Sequence, residues 1–213
     1  MKVPKEPKIY HITHYDRLPS IIANGALWCD AVMSKHTHLG TTIGMSAIKR
    51  RRLYELTFSN YPDLFVGQCV PFYFCPRSIM LYIIHCANNP ELLYKGGQIP
   101  IVHLQIDLYA AINWANANQR RWAFTDSNAG SNTFQDFCDI EDLKHLDWDA
   151  IEATSWSECK YNKQAEFLVE GNFPWTLVEY IGMHSKQDYR PIDSALSIAA
   201  HRPPVYNRQD WYY

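Results

Sequence analysis

The sequence lacks the features that mark several protein classes. Its six cysteines form no CxxC pair and have no histidine at finger spacing, which argues against a structural zinc site. The N-terminal segment has lysines but no apolar stretch of the kind found in signal peptides. The most apolar run, 79–87, is far shorter than the roughly 20 residues of a membrane span. These absences predict a cytoplasmic protein with reduced thiols, no metal and no membrane contact.

Charge of one sign is not in excess either, and no repeat or linker divides the chain. The formal net charge of −2 argues against a protein coated in nucleic acid, although a local basic groove remains compatible with it. A chain of 213 residues with 47% hydrophobic and 20% charged residues has the composition of an ordinary globular protein. We therefore expect a single domain over residues 1–213, and a monomer.

Local patterns predict short strands interspersed with helices, hence a mixed α+β domain. Asp16 is the expected N-cap of the first helix, and Asn24-Gly25 its end. Segment 30–44 has little apolar periodicity and is predicted to be a loop. Strands are expected at 9–12, 26–29, 70–75, 99–106, 123–125, 165–169 and 177–183, and further helices at 45–54, from 76, at 109–117 and at 139–146.

Two segments in the first third of the chain carry side chains suited to a binding cleft. His11 and Thr13 share one face of the first predicted strand, where they can hydrogen-bond a sugar hydroxyl or an amide. A core histidine beside a β-branched residue is the alternative. The basic run 49–52 lies on a predicted helix, whose residues are about 100° apart, so only one or two of the charges can reach a phosphate. A solvated helix face is the alternative there.

The segment 70–82, VPFYFCPRSIMLY, combines aromatic rings with an arginine at a helix start. Rings in this position can hold a flat group, and Arg77 lies where backbone N–H groups point outward. Packing in the core explains about half of the aromatic residues equally well.

Glu166 opens an apolar predicted strand after a polar loop. A carboxylate at this position can bind a ribose 2′-hydroxyl and stabilise positive charge on the adjacent carbon, which is the charge that forms when nicotinamide leaves NAD. Gln164 shares the face of Glu166 and can contact the acceptor. A solvated glutamate on a surface strand is the alternative, and none of these segments decides the function alone.

Taken together, the segments resemble the DarT family, bacterial toxins of the DarT/DarG toxin–antitoxin type that ADP-ribosylate DNA. The resemblance implies the ADP-ribosyltransferase fold, a split β-sandwich core with peripheral helices around an NAD cleft. The matching stretches follow the family's order and are IYHITHYDRL, VPFYFCPRSIMLY, GGQIPIVHL, LDWDAIEA, KQAEFLVEGNFPW and DWYY.

The resemblance also implies roles for individual residues. Glu166 takes the position of the catalytic glutamate, and Arg52 or the adjacent Arg51 that of an arginine at the catalytic centre. The segment 34–43 would fold over bound NAD, and the loop before Glu166 would contact the acceptor. The expected NAD-binding residues are His11, Ile12, Thr13, Gly44, Arg52, Phe74 and Leu81, and the expected DNA-binding residues are Arg77, Trp156, Lys160, Tyr161, Lys163 and Gln164.

The implied reaction transfers ADP-ribose from NAD, which is consumed, to a base of single-stranded DNA and releases nicotinamide. The VPFYFCPRS and KQAEFLV strings are more similar to the thymidine branch than to the guanine branch, so thymine within a short sequence motif is the predicted acceptor. The alternatives are a guanine acceptor, an enzyme of the same fold that modifies protein or hydrolyses NAD, and a non-catalytic nucleic-acid-binding module. A macrodomain antitoxin of the DarG type is the partner that the family implies.

Overall fold

A computed structural model describes residues 2–36 and 39–213. Its strands are β1 (Lys8–His14), β2 (Ala26–Trp28), β3 (Cys69–Tyr73), β4 (Ile101–Asp107), β5 (Trp122–Thr125), β6 (Asp136–Phe137), β7 (Glu166–Glu170), β8 (Asn172–Pro174), β9 (Tyr180–Met183) and β10 (Val205–Asn207). Its α-helices are α1 (Leu18–Ala23), α2 (Asp30–Met33), α3 (Ser46–Tyr54), α4 (Ile79–Cys86), α5 (Leu108–Ala117), α6 (Trp148–Glu152) and α7 (Tyr189–Leu196).

The main sheet has eight strands in the order β10-β9-β4-β1-β3-β7-β5-β6, and β2 pairs with β8 separately. The neighbours are antiparallel except β9 and β10, which are parallel. β1 pairs with β4 from Lys8 to His14, but it meets β3 at one residue pair, Tyr10 with Tyr73. The sheet therefore opens between β1 and β3, and the predicted fold class, a split sheet with peripheral helices, is confirmed.

Apolar side chains cover both faces of the central strands. β4 is buried at every position from Ile101 to Ile106. Because successive side chains point to opposite faces, Val102 and Leu104 pack into the larger core cluster while Ile101 packs with Trp211 in the second. The larger cluster contains residues from strands on both sides of the opening, such as Ile9 of β1 and Phe167 of β7, so it joins the two halves of the sheet.

The predicted strands and most predicted helices are present, with shifted boundaries. α4 begins at Ile79 and not at Pro76, because the Ser78 side chain caps it by accepting a hydrogen bond from the Leu81 N–H at 3.2 Å. The predicted helix at 139–146 is a 3-10 helix, Ile140–His145. Part of the predicted loop 30–44 forms α2. The sequence patterns did not indicate β6, β8, β10, α6 or α7.

The expected cap at Asp16 is wrong. The side chain of His14 instead caps a 3-10 turn, Tyr15–Arg17, that precedes α1. The Asp16 carboxylate accepts hydrogen bonds from the N–H and hydroxyl of Thr41, so it anchors a distant segment. Gly25 ends α1 with a φ of +66°, as predicted. No helix within residues 2–36 and 39–213 is both long and apolar enough to cross a membrane.

His103 makes stability depend on pH. It is 0% exposed on β4, and its Nε2 lies 2.9 Å from the Pro76 carbonyl oxygen. Burial lowers the pKa of this imidazole from 6.5 to about 4. The unfolded chain therefore takes up a proton first as the pH falls, and the stabilisation that is present above pH 6.5 is lost towards pH 4.

We expect His103→Gln to reduce this loss. Between about pH 7.5 and about pH 5, the variant should lose roughly 2 kcal/mol less free energy of unfolding than the parent, measured by urea denaturation. His11, whose pKa burial also lowers to about 4, supplies pH dependence in both proteins. An equal loss in parent and variant would contradict the assignment to His103.

Candidate active site

A cleft of about 310 Å³ lies where β1 and β3 separate. Its volume falls within the roughly 300–1,000 Å³ that is usual for small-molecule sites. Side chains from β1, β3, α1, α3 and α4 line it, together with Gly44. His11, Ile12 and Thr13 of β1, which are expected to bind NAD, all lie on its wall.

His11 bridges the opening in the sheet. Its Nδ1 lies 2.9 Å from the carbonyl oxygen of Pro71 in β3. Since a carbonyl only accepts, Nδ1 carries the proton and Nε2 remains a hydrogen-bond acceptor. Burial lowers the pKa of His11 to about 4, so the ring is neutral at pH 7. His11 therefore offers a neutral acceptor in the cleft, and Thr13 beside it is 3% exposed.

Glu166 is the first residue of β7, between Tyr73 of β3 and Thr125 of β5, and is 1% exposed. Its Oε1 accepts hydrogen bonds from Arg52 Nη2 at 2.5 Å and from the Ala129 N–H at 3.2 Å. Its Oε2 is buried and has no hydrogen-bond partner within the described residues. A buried carboxylate oxygen without a partner costs free energy, so Oε2 is an acceptor ready for a bound hydroxyl.

The two arginines of α3 have different contacts, and only Arg52 reaches Glu166. Its guanidinium, on a side chain 11% exposed, contacts Glu166 and also lies 3.3 Å from Asn128 Oδ1. Burial alone would lower the pKa of Arg52, but the charge of Glu166, its hydrogen bond and the nearby Tyr73 and Asp30 together raise it. Arg51 instead donates to the Gly130 carbonyl at 2.6 Å. Arg52 therefore lies at the candidate catalytic centre, and Arg51 anchors the neighbouring turn.

The basic run 49–52 divides its charges, as the helix geometry predicts. Lys49 Nζ forms an ion pair with Asp30 at 2.6 Å, and Arg50 is exposed. Arg51 and Arg52 both reach the turn after β5. Of the four charges, Lys49 and Arg52 line the cleft.

Sequence patterns did not single out Arg17, which lines the cleft and binds the segment 40–42. Its Nε donates to the Thr41 carbonyl at 2.6 Å, and its Nη2 donates to the Thr42 hydroxyl at 2.9 Å. Gly40 has a φ of +104°, and a Cβ there would lie 2.7 Å from Arg17 Cγ, so only glycine fits. In the segment 34–43, expected to fold over NAD, Thr37 and His38 lie outside the described residues. That closure stays a prediction.

Two expected NAD-binding residues are core residues. Phe74 is 6% exposed and packs edge-on against Trp148 at 5.4 Å between ring centroids, because strand alternation turns Tyr73 and not Phe74 towards the cleft. Leu81 is fully buried in the second core cluster, whereas Met80 and Ile83 of the same helix line the cleft. Both assignments are corrected.

Lys163 is not available to DNA. It is 3% exposed, its Nζ donates to the Ile151 carbonyl at 2.6 Å, and Cys75 Sγ lies 3.5 Å away. The predicted phosphate contact is therefore wrong, and Lys163 instead ties the acceptor loop, residues 156–164, to α6. Arg77 lies outside the cleft lining, with its guanidinium 4.5 Å from the centre of the Tyr213 ring.

The rest of the acceptor loop lies at the mouth of the cleft or beside it. Lys160 is exposed and lines the cleft together with Gln164. The Tyr161 hydroxyl donates to the Thr133 carbonyl at 2.6 Å, and its side chain is 42% exposed. The Trp156 ring meets the Tyr82 ring edge-on at 5.1 Å.

The site thus combines a cleft, a buried Glu–Arg pair and a neutral histidine. No group of three or more His, Cys, Asp or Glu side chains in the described ranges could hold a metal ion. Residues 10–213 match the family described as "ssDNA thymidine ADP-ribosyltransferase, DarT". The chain belongs to the DarT family.

Several relatives are similar to this chain over nearly its full length. A Thermus aquaticus protein named DNA ADP-ribosyl transferase is 38% identical over 212 residues, 99% of this chain and 90% of the relative. The structure of Thermus sp. 2.9 DarT in complex with ADP-ribosylated ssDNA superposes with a TM-score of 0.89 at 34% identity, covering 100% of this chain and 99% of that one. The structure of the same DarT in complex with NAD+ gives 0.82 at 33% identity, with 100% of both chains covered.

The buried pair predicts unequal effects for the two arginines. Arg52→Ala leaves the charge of Glu166 buried without its partner and should lower the free energy of unfolding by about 3–5 kcal/mol. Arg51→Ala removes a hydrogen bond from a charged group to the Gly130 carbonyl and should cost about 1.5–3 kcal/mol. Urea denaturation at neutral pH measures both.

Glu166→Gln provides the control for the charge. Added to Arg52→Ala, it removes the unpaired buried charge and should restore part of the lost stability. Strictly additive losses in the double variant would contradict a coupled buried pair.

Proposed function

We propose that this chain transfers ADP-ribose from NAD to a thymine base of single-stranded DNA and releases nicotinamide. Membership of the DarT family makes it a DNA ADP-ribosyltransferase with NAD as donor, and the family description supports thymine as the acceptor. The observation that carries the proposal is the unpartnered Oε2 of Glu166 behind the cleft wall, while Oε1 is held by Arg52. The complexes of Thermus sp. 2.9 DarT with NAD+ and with ADP-ribosylated ssDNA support it.

Glu166 acts on the donor. The ribose next to nicotinamide binds beside Arg52, with its 2′-hydroxyl donating to the free Oε2 of Glu166. As the bond from the ribose carbon to nicotinamide breaks, positive charge develops on that carbon, and the fixed carboxylate stabilises it. Because Arg52 and the Ala129 N–H hold Oε1, the carboxylate does not need to reorient during the reaction.

Arg52 acts as a fixed charge and not as a base. The attacking thymine nitrogen carries a proton at neutral pH and must lose it on bonding to the ribose carbon. An arginine is always protonated in proteins, and the pKa of Arg52 is raised further by Glu166. Its positive charge stabilises the negative charge that the base acquires as its proton leaves.

The acceptor loop receives the DNA. A base enters a cleft from a single strand without the cost of breaking a base pair. Lys160 lies exposed at the mouth, where it can bind a phosphate, and Trp156 and Tyr161 follow as stacking partners for neighbouring bases. Gln164 faces the acceptor, and Arg77 beyond the cleft extends the same surface.

The biological setting also belongs to this proposal. The DarT resemblance supports a toxin whose modification is removed by a DarG-type macrodomain antitoxin. We propose that it acts as a monomer, and in the cytoplasm, where its scattered cysteines would stay reduced.

The central test follows labelled NAD with single-stranded oligonucleotides. The parent protein should label thymine-containing DNA, and Glu166→Gln should lower the rate by roughly 10²–10³-fold, since it removes the charge that stabilises the ribosyl cation. NAD affinity, measured by calorimetry, should change much less.

Several results would contradict the proposal. Absence of label on any DNA would exclude DNA modification, and label on protein or only free ADP-ribose would favour the rival enzymes. Label on guanine-containing oligonucleotides that lack thymine would refute the thymine assignment alone. Binding of DNA with no NAD turnover would indicate a binding module.

Lys160 should contribute one phosphate contact. In the Glu166→Gln background, Lys160→Ala should weaken single-stranded DNA binding and reduce the slope of log affinity against log salt by about 0.7. The matched control is Lys144→Ala, an exposed lysine outside the cleft lining, which should leave the slope unchanged. Fluorescence titration at several salt concentrations measures both, and equal slopes for all three proteins would argue against a contact at Lys160.

A further inference from the structure

One amide side chain joins the donor and acceptor sides of the cleft. Asn128 Oδ1 lies 3.3 Å from Arg52 Nη2, and Asn128 Nδ2 donates to Gln164 Oε1 at 3.2 Å. Gln164 in turn donates from Nε2 to the Lys160 carbonyl at 2.9 Å. A continuous chain of hydrogen bonds thus runs from Glu166 through Arg52, Asn128 and Gln164 to the acceptor loop.

The surrounding turn fixes the direction of the Asn128 amide. Oδ1 also accepts the Gly130 N–H at 2.6 Å, so its oxygen faces two donors while its nitrogen faces an acceptor. The amide satisfies these partners in one orientation only. A Cβ on Gly130 would lie 2.6 Å from Ile48 Cγ2 and 2.9 Å from Asn128 Oδ1, so the glycine lets the turn approach α3 this closely. The same turn supplies the Ala129 N–H to Glu166.

We propose that Asn128 is a positioning residue that couples the acceptor loop to the Arg52–Glu166 pair and thereby directs the ribosyl cation to the DNA base and not to water. This inference rests on the proposed function, because it concerns how the same site divides its product between two acceptors.

Both outcomes begin with the same bond cleavage. The electron pair of the bond between the ribose carbon and nicotinamide leaves with nicotinamide, and the cation then takes a pair from either the base nitrogen or a water oxygen. Transfer gives ADP-ribosylated DNA, hydrolysis gives free ADP-ribose, and each releases one proton. The nucleophile that is better placed at the carbon when the cation forms reacts more often. Misplacement by about 1 Å can lower the reaction rate about 10²-fold.

Asn128 controls that placement because it is hydrogen-bonded both to Arg52, which holds Glu166, and to Gln164, which donates to the Lys160 carbonyl in the acceptor loop. Without the amide, Gln164 Oε1 loses its partner, and the acceptor loop is held by its anchors at Lys163 and Tyr161 but no longer by the catalytic pair. The base then meets the cation less often, while nicotinamide cleavage, which depends on Glu166, continues.

The test measures product partition. With labelled NAD and excess thymine-containing oligonucleotide, we expect the ratio of DNA-bound to free ADP-ribose to fall about tenfold in Gln164→Ala, the loss expected from the one hydrogen bond to Asn128. It should fall at least as far in Asn128→Ala, which also removes the contacts with Arg52 and Gly130. The Asn128→Ala/Gln164→Ala double variant should show no further fall, because both changes break the same link. The control is Asn132→Ala, which changes an exposed residue just after the turn that contains Asn128, and its ratio should match that of the parent.

A second variant covers the case in which Asn128→Ala does not fold. Asn128→Asp keeps the oxygen that accepts from Gly130 and Arg52 but faces Gln164 Oε1 with another oxygen, so Gln164 must turn and give up its bond to Lys160. Its partition ratio should also fall, with thermal stability retained.

Two results would overturn the inference. An unchanged partition ratio in the Asn128 variants, with both products reduced together, would make Asn128 merely structural. A tenfold further fall in the double variant would show that Asn128 and Gln164 act independently. If the parent labels no DNA at all, the proposed function itself has failed, which is a distinct outcome.

Discussion

The buried ion pair between Arg52 and Glu166 imposes the demands that the rest of the site meets. A carboxylate that is 1% exposed loses nearly all its hydration, and one cation does not compensate for that loss unless further hydrogen bonds are made. The Ala129 N–H supplies one to Glu166, and Asn128 supplies an acceptor to Arg52. The turn after β5 is therefore a consequence of the pair, and its glycine follows from how close that turn must come to α3.

The opening of the sheet also leaves buried polar groups that need hydrogen-bond partners. Where β1 leaves β3, backbone groups lose their ladder partners, and a buried group without a partner is costly. His11 meets part of this cost by donating to the Pro71 carbonyl across the gap, which also fixes its tautomer. A continuous ladder between β1 and β3 would leave no cleft beside Tyr73. The cleft thus exists because these two strands separate.

Sequence patterns predicted the elements whose signal is local. The apolar run of β4, the strand that Glu166 opens and α5 were all found, because burial on both faces or a helical stripe is visible in the residues themselves. The direction in which each side chain points was harder to predict. Phe74 and Leu81 are each one residue away from a position that lines the cleft, and a single residue turns a side chain to the other face of a strand or by about 100° around a helix.

Other features depended on partners distant in sequence. Lysine is rarely buried, so nothing near Lys163 indicated that its ammonium would end on the Ile151 carbonyl. Asp16 stands where the sequence predicts a helix N-cap, yet its carboxylate accepts a hydrogen bond from the hydroxyl of Thr41. Arg51 and Arg52 both fall in the last turn of α3, and only the place of the turn at 128–130 separates their roles. Asn128 had no signal at all, because its importance lies in two partners distant in sequence, Arg52 of α3 and Gln164 of the acceptor loop.

These anchors explain how transfer and target choice can reside in adjacent residues. The loop before Glu166 is fixed at its end by Lys163, whose ammonium is buried, and by Gln164, whose amide is held at both ends. Upstream of that point, Lys160 and Tyr161 are exposed, so substitutions there would change the surface proposed to meet DNA without moving the carboxylate. Glu166 thus stays constant in geometry while the loop beside it is free to vary in chemistry. The buried anchors are what keep these two requirements separate.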